Sequence, residues 1–231
     1  MIFGTILPSC RTMIDSPELT TLERTGRMRP RKLTRRGADV RNRIIGAMIS
    51  CVVRSGFDAT TVEHVMAEAG LSRGSVLHQF PTRLELTVAT AETAMRAVMA
   101  DAEGRSAAIA DTFERLAQYP AIMWETHTAD HGLALTDILL AARWDTELAH
   151  ALLPVTSGIE LQINQTLLTL ASEAGLADPA AFVPHGWLLL ASTRGLIIEY
   201  KLDAARPMIL AAIQTMHDEH RRLCERLRLK K

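Results

Sequence analysis

The sequence predicts an all-α protein of about nine helices, with a small helical domain near the N-terminus and a larger one after it. Three observations lead there. Only 4% of the 231 residues are aromatic, while helix formers such as Ala, Leu, Met, Glu and Arg are plentiful. Apolar residues recur at three- and four-residue spacing through most of the chain, and no stretch alternates as a half-buried strand would. Gly and Pro fall where helices need ends. With 48% hydrophobic residues, the chain is long enough to bury a substantial core.

Residues 1–36 carry no sustained period, contain Pro8, Pro17 and Pro30, and hold a cationic run from Arg24 to Arg36. They are expected to form a flexible basic arm. From Arg36 to Ser55 the positions Val40, Ile44, Ala47, Met48, Cys51 and Val52 repeat at helical spacing, and Gly56 follows where a left-handed cap belongs. Thr60-Thr61-Val62-Glu63 fits a capping box that opens a short second helix closing at Gly70. Ser72 is placed to cap a third helix of roughly nine residues, about 14 Å long, which Pro81 stops near Phe80. Thr82-Arg83-Leu84-Glu85 reads as a second capping box and starts a long fourth helix with Leu84, Val88, Ala91, Met95 and Val98 on one stripe. Beyond it, interruptions at Pro120, Gly132, Pro154, Gly175 to Pro179, Pro184 and Pro207 divide the chain into five further helices, the last two at about 180–203 and 206–229.

The net charge of zero hides an asymmetry. Residues 1–83 hold 13 Lys and Arg against 7 Asp and Glu, whereas residues 84–231 hold 13 against 19. A basic front half suits a polyphosphate partner, and an acidic remainder belongs away from it. Cys10, Cys51 and Cys224 are far apart, odd in number and form no CxxC, so neither a disulfide framework nor a zinc cluster is indicated and a reducing cytoplasm is the expected compartment. No apolar run approaches the roughly 20 residues that span a bilayer, and Met1 to Leu7 is too short for a signal peptide.

Three segments carry the functional signal: Gly56-Phe57-Asp58-Ala59-Thr60-Thr61-Val62, then Ala67 through Phe80, then Arg83-Leu84-Glu85-Leu86. Together they closely resemble the DNA-binding domain of the tetracycline-repressor (TetR) family, with its Gly-aromatic pair, Thr-(Ser/Thr)-Val, Ala-Gly-(Val/Leu)-Ser turn, short recognition helix ending in Phe, and Lys/Arg-Glu-x-Leu start of the fourth helix. The resemblance is strong from about 38 to 90 and implies a helix-turn-helix domain at 37–90. It also implies an effector-binding and dimerisation domain at 91–231, and hence a homodimeric regulator. The resemblance further implies a repressor released from a two-fold symmetric duplex operator by a small molecule. One position departs from the pattern: Leu77 stands where the family usually has an aromatic residue, often Tyr, and cannot supply that residue's hydroxyl-to-phosphate contact.

The residues themselves point to the same surface. Leu71, Val76 and Phe80 share the inner face of the third helix, which leaves Arg73, Gly74, Ser75, His78 and Gln79 for a major groove. Arg73 suits guanine O6 and N7, and Gln79 suits adenine N6 and N7. Thr60, Thr61, Ser72, Thr82 and Arg83 lie at helix starts that offer phosphates free N–H groups, with Arg41 and Arg43 adding charge.

In the second half, Met123, Trp124, His127, His131, Trp144, Trp187 and Arg194 are the large or polar residues within apolar helices, suited to an effector pocket or simply to packing. Leu188, Ser192, Gly195, Glu199, Met208, Ala212, Met216 and Leu223 are spaced along helix faces that could pair with a second copy. His217 and His220 lie three apart beside Asp218 and Glu219 but lack a clustered third ligand, so they are read as solvated surface rather than a metal site. With no GxSxG, P-loop or GxGxxG, no enzymatic activity, catalytic residue or cofactor is expected.

Overall fold

α1 (Arg35–Ser55) forms because Ile44, Ile45, Met48, Ile49 and Val52 bury one continuous stripe, and it ends where Gly56 adopts φ 81°. The computed structural model describes residues 35–228. The expected basic arm therefore lies outside the described residues except for Arg35 and Arg36, which open α1, and Cys10 lies outside them too.

α2 (Val62–Ala69) begins one residue later than its sequence suggests. Thr61, not Thr60, is the cap: its hydroxyl accepts the His64 N–H at 3.2 Å, and the Thr61 N–H returns to His64 Nδ1 at 3.4 Å. The reciprocal box uses His64 instead of Glu63 because Thr60 is drawn inward, 1% exposed, where its hydroxyl donates to the Gly56 carbonyl at 2.8 Å. Gly70 closes α2 at φ 60° and turns the chain at once into α3 (Arg73–Gln79), seven residues and about 10 Å long, shorter than expected. Ser72 caps α3 by accepting the Ser75 N–H. Thr82 likewise caps α4 (Arg83–Ala107), accepting the Glu85 N–H at 3.1 Å.

Six further helices follow rather than five: α5 (Thr112–Ala117), α6 (Tyr119–Thr128), α7 (Asp130–Ala141), α8 (Thr146–Glu173), α9 (Pro179–Leu202) and α10 (Pro207–Leu227). The extra division comes from Asp111, which caps α5 through the Glu114 N–H, and from Pro120, which sits in the first turn of α6, where a missing N–H costs nothing. Pro154 and Pro184 do not end helices. Each lies within a helix whose flanking apolar residues, Leu148, Leu152 and Ile159 in α8 or Phe182, Leu189 and Leu190 in α9, are buried on both sides of the proline. Gly132 also stays inside a helix, since its missing Cβ lets α7 start directly against α6.

Residues from Arg35 onward form one compact unit with two apolar clusters. The first gathers Ile44, Val65, Val76, Phe80, Leu86, Leu135 and Leu148 from α1 to α4, α7 and α8. The second gathers Phe113, Leu116, Met123, Leu167, Phe182, Leu190 and Cys224 from α5, α6 and α8 to α10. The boundary expected near residue 90 falls inside α4, eight residues from its start, and Leu86, Ala91 and Met95 on either side of it all belong to the first cluster.

One sequence expectation about membranes needs correction. By length and composition α9 can cross a bilayer, with an 18-residue window of mean hydropathy 1.2. Within the fold α9 packs on α6, α8 and α10, which buries a third of that window.

Candidate nucleic-acid interface and effector cavity

The surface that presents α3 is built from its inner face outward. Val76 and Phe80, 1% and 2% exposed, lock the helix against α1 and α2. Arg73, Gly74, Leu77 and His78 then face solvent, with Ser75 and Gln79 half-buried at the edges. An added Cβ at Gly74 would touch only the Ser72 hydroxyl, at 4.0 Å, so the backbone there is open to close approach. Arg73 pairs with Glu63 at 3.1 Å, but both side chains are largely exposed. Such a pair is worth little, about 0–1 kcal/mol, and exchanges readily for a stronger acceptor. Thr61, Glu63, Arg73, Leu77 and Arg83 also line a shallow hollow of about 330 Å³ between α2 and α3.

Three of the residues expected to touch DNA make bracing contacts within the domain. Thr60 is buried, with its N–H donating to the Phe57 carbonyl and its hydroxyl to Gly56. The Arg83 guanidinium lies over the Phe57 ring at 4.5 Å and donates to the Phe57 and Thr60 carbonyls at 2.9 and 3.2 Å, tying the start of α4 to the turn before α2. Arg41 lies over the Phe80 ring at 4.2 Å and donates to the Gln79 carbonyl at 3.4 Å, closing the end of α3 from α1. Sequence spacing cannot separate an arginine aimed at a phosphate from one spent on a neighbouring carbonyl. Arg43 is exposed and reaches over the turn, within 2.9 Å of a Cβ built on Gly70. Thr61, Ser72 and Thr82 are exposed caps, each also committed to its own helix N–H.

The second feature is a cavity of about 700 Å³ between α4, α6, α8 and α9. Met95, Met99, Met123, Leu135, Ile163 and Leu190 make its walls apolar, with Tyr119, His127, Gln162 and Arg194 among the polar groups. Three of the expected pocket residues are there: Met123, His127 and Arg194. The other four are elsewhere. Trp124 packs edge-on to Tyr200 at 5.3 Å, Trp187 donates its indole N–H to Asn164 Oδ1 at 2.7 Å, His131 is exposed, and Trp144 is 85% exposed beside Arg143. The α4 residues of the cavity were missed because a Met on a helical stripe reads as core, and here the stripe turns from core to cavity along one helix. Tyr119, next to Pro120, was a signal the spacing did carry.

Burial tunes the cavity's titratable groups. His127 is pushed down to about 4 by burial and then by the charge of Arg194, while its ring is held by the Met123 carbonyl at 2.9 Å. Burial alone raises Tyr119 to about 12, so it remains a hydrogen-bond donor, and lowers Arg194 from its ordinary value.

Of the two histidines read as solvated surface, His217 is half-buried and His220 is buried. His220 is 1% exposed and stacked on His185, its Nδ1 3.0 Å from His185 Nε2 and its Nε2 2.8 Å from the Leu116 carbonyl. The side on which α10 packs against α5 decided this, and a three-residue spacing could not reveal it. No group of three or more metal-ligating side chains suited to an ion occurs among the described residues.

On the expected dimer face, Leu188, Gly195, Glu199 and Met208 are exposed, and Ser192, Ala212 and Leu223 are half-buried. Met216 instead packs inward on the second apolar cluster, its sulfur 4.0 Å from the Thr193 hydroxyl, and Glu199 is paired with Arg206 at 2.6 Å.

A short capped helix presented outward from a three-helix unit, on a chain whose later helices line a cavity, is a helix-turn-helix domain followed by a helical domain. Residues 44–90 match the family model described as bacterial regulatory proteins, tetR family. That match covers most of α1, α2, α3 and the start of α4, the segment that presents α3. The chain is 25% identical over 174 residues to the HTH-type transcriptional regulator CymR of Pseudomonas putida, covering 74% of this chain and 85% of that one. Its fold is shared by a TetR-family regulator from Cytophaga hutchinsonii at TM-score 0.68 and 16% identity, covering 87% of this chain and all of that one. A Streptomyces coelicolor TetR-family regulator matches at TM-score 0.63 and 16% identity, covering 81% of this chain and 96% of the other.

Proposed function

We propose that the chain acts in the cytoplasm as a homodimeric repressor that binds a two-fold symmetric duplex through α3 and is released by a small molecule in the cavity. The observation that carries this reading is the span of α4. Its first turn is tied by Arg83 to the turn before α2, and its residues from Met95 to Ala107 line the cavity about 18 to 36 Å along the same helix. A ligand that favours one tilt of α4 therefore favours one placement of α3, and the coupling is reciprocal.

Dimerisation through α9 and α10 is supported by exposed Leu188, Ile198 and Leu202 on α9 and Met208 and Leu210 on α10. Gly195 supports it as well, because a Cβ there would meet nothing within 4 Å and the face stays open to a second backbone. The two recognition helices of such a dimer fit half-sites about 34–36 Å apart.

The test is selection of bound sequences from a random duplex pool by the full chain at two salt concentrations, with Arg73→Ala alongside. The expected result is enrichment of a two-fold symmetric site, weakened by salt and losing base preference in the variant by about 1–3 kcal/mol at one position per half-site. An equal loss on specific and random DNA for Arg73→Ala would remove Arg73 as a base reader. No enrichment at either salt would remove the operator reading.

A further inference from the structure

The cavity holds a cation that the protein itself does not neutralise. Three arginines line it. Arg96 is paired with Glu92 at 2.9 Å, and Arg115 with Glu173 at 3.1 Å and with the Ile109 carbonyl. Arg194 differs from both. None of the described residues accepts a hydrogen bond from its guanidinium or forms an ion pair with it, and its Nε is fully shielded and without a partner. It stands in the middle of α9, one residue after the fully buried Thr193.

Arg194 is half-buried, and a guanidinium with a shielded Nε and no acceptor gives up part of its hydration and gains nothing in return. Cores place Met or Leu at such a position when only packing is required. Its neighbours make the cavity a poor site for a second cation and a good one for an anion with an apolar body. His127 is neutral at ordinary pH, Tyr119 keeps its phenolic proton, and Met, Leu, Ile and Val side chains make up most of the apolar wall, while of the two carboxylates on the lining Glu173 is paired with Arg115 and Glu103 is exposed. The volume of about 700 Å³ exceeds what a bare inorganic anion fills and falls within the range of small-molecule sites.

We infer that the effector is a small molecule carrying a carboxylate on an apolar body, with Arg194 as the counter-ion of the carboxylate and the Met-rich wall from α4 against the body. This inference rests on the regulator reading above and gives the chemical class of its effector. A guanidinium presents its N–H groups in a planar fork that matches the two oxygens of a carboxylate, and the pairing is strengthened in a low-dielectric surrounding. Pairing also removes the cost of the unpartnered charge, so the ligand gains from a penalty already present in the unliganded fold.

The experiment is calorimetric titration and thermal unfolding of the full chain with octanoate and 4-phenylbutanoate. Each is set against the alcohol of the same carbon skeleton, 1-octanol and 4-phenylbutan-1-ol, and octylamine supplies the opposite charge. The same series is run on Arg194→Met and Arg194→Lys. At least one carboxylate is expected to bind at least about tenfold tighter than its alcohol and to raise the melting temperature, while octylamine does neither. Arg194→Met levels acid and alcohol by weakening the acid, and Arg194→Lys keeps part of the preference because it keeps the charge without the fork. Equal binding of acid and alcohol by the unaltered chain, an acid preference that survives Arg194→Met, or no binding of either acid up to about 10 mM would each overturn the inference. Duplex selection with the same preparations separates the two readings. Operator enrichment without a carboxylate preference sinks this inference alone, and a carboxylate preference without operator enrichment sinks the regulator reading alone.

Discussion

Gly132→Ala tests whether the corner beside the cavity is as tight as it looks. Gly132 is the third residue of α7, which starts after a one-residue link from the end of α6. A Cβ built there would lie 2.4 Å from His127 Cα, 2.6 Å from its carbonyl oxygen and 2.7 Å from its carbonyl carbon. These are backbone atoms, so no rotamer change relieves the overlap and α6 must move by about 1 Å relative to α7 to reach ordinary contact. Overpacking costs about 1–3 kcal/mol, and three backbone atoms at once place this case near the upper end. Alanine returns about 1 kcal/mol in helix propensity, which leaves a net loss of about 2 kcal/mol. For a chain of this size that is a fall in melting temperature of roughly 4–8 °C. The matched control is Gly46→Ala, exposed in the middle of α1 with nothing within 4 Å of its Cβ, which should gain about 0.5–1 kcal/mol. Urea unfolding followed by helical circular dichroism at one fixed protomer concentration reads both variants. A Gly132→Ala chain as stable as the unaltered one would refute the packing argument, and so would a Gly46→Ala chain that loses as much. Because His127 lines the cavity, Gly132→Ala should also alter ligand binding.

Two other perturbations follow from the buried groups. His127 and His220 are held at about 4 by burial, whereas an unfolded histidine titrates near 6.5. The unfolded chain thus binds more protons between those values, so stability is full above pH 6.5 and falls as pH drops toward 4, by up to about 1.4 kcal/mol per unit for each histidine. The urea midpoint should fall between pH 7 and pH 5, less steeply in His220→Phe, and an unchanged slope in that variant would rule His220 out as a source. Arg83→Met removes two hydrogen bonds to carbonyls and the stacking on Phe57, and is expected to cost about 1–2 kcal/mol of stability and to weaken binding to all duplexes alike. An unchanged unfolding midpoint would restore Arg83 to the role of a free phosphate contact.

The amino-acid sequence by itself determined what depends on near neighbours. Gly56 and Gly70 at left-handed backbone, Ser72 and Thr82 as caps, and Pro81 after Phe80 place the first four helices, because each of those interactions closes within about four residues. Where an error arose at that range it was one residue wide: Thr60 was preferred to Thr61 as a cap until burial of its hydroxyl against Gly56 excluded it. The inward face of α3 was legible for the same reason, since Val76 and Phe80 are four apart on one helix. The fate of long polar side chains was not legible. That Arg41 and Arg83 reach carbonyls 38 and 26 residues away depends on which helix crosses which. Tertiary structure alone also decided that Met95 and Met99 turn toward a cavity, that Trp144 and Trp187 do not, and that His220 is buried against α5. Helical periodicity says that a side chain leaves the solvent-facing side. Only the packing of distant helices decides whether it meets another side chain, a carbonyl, or the space in which Arg194 stands without a partner.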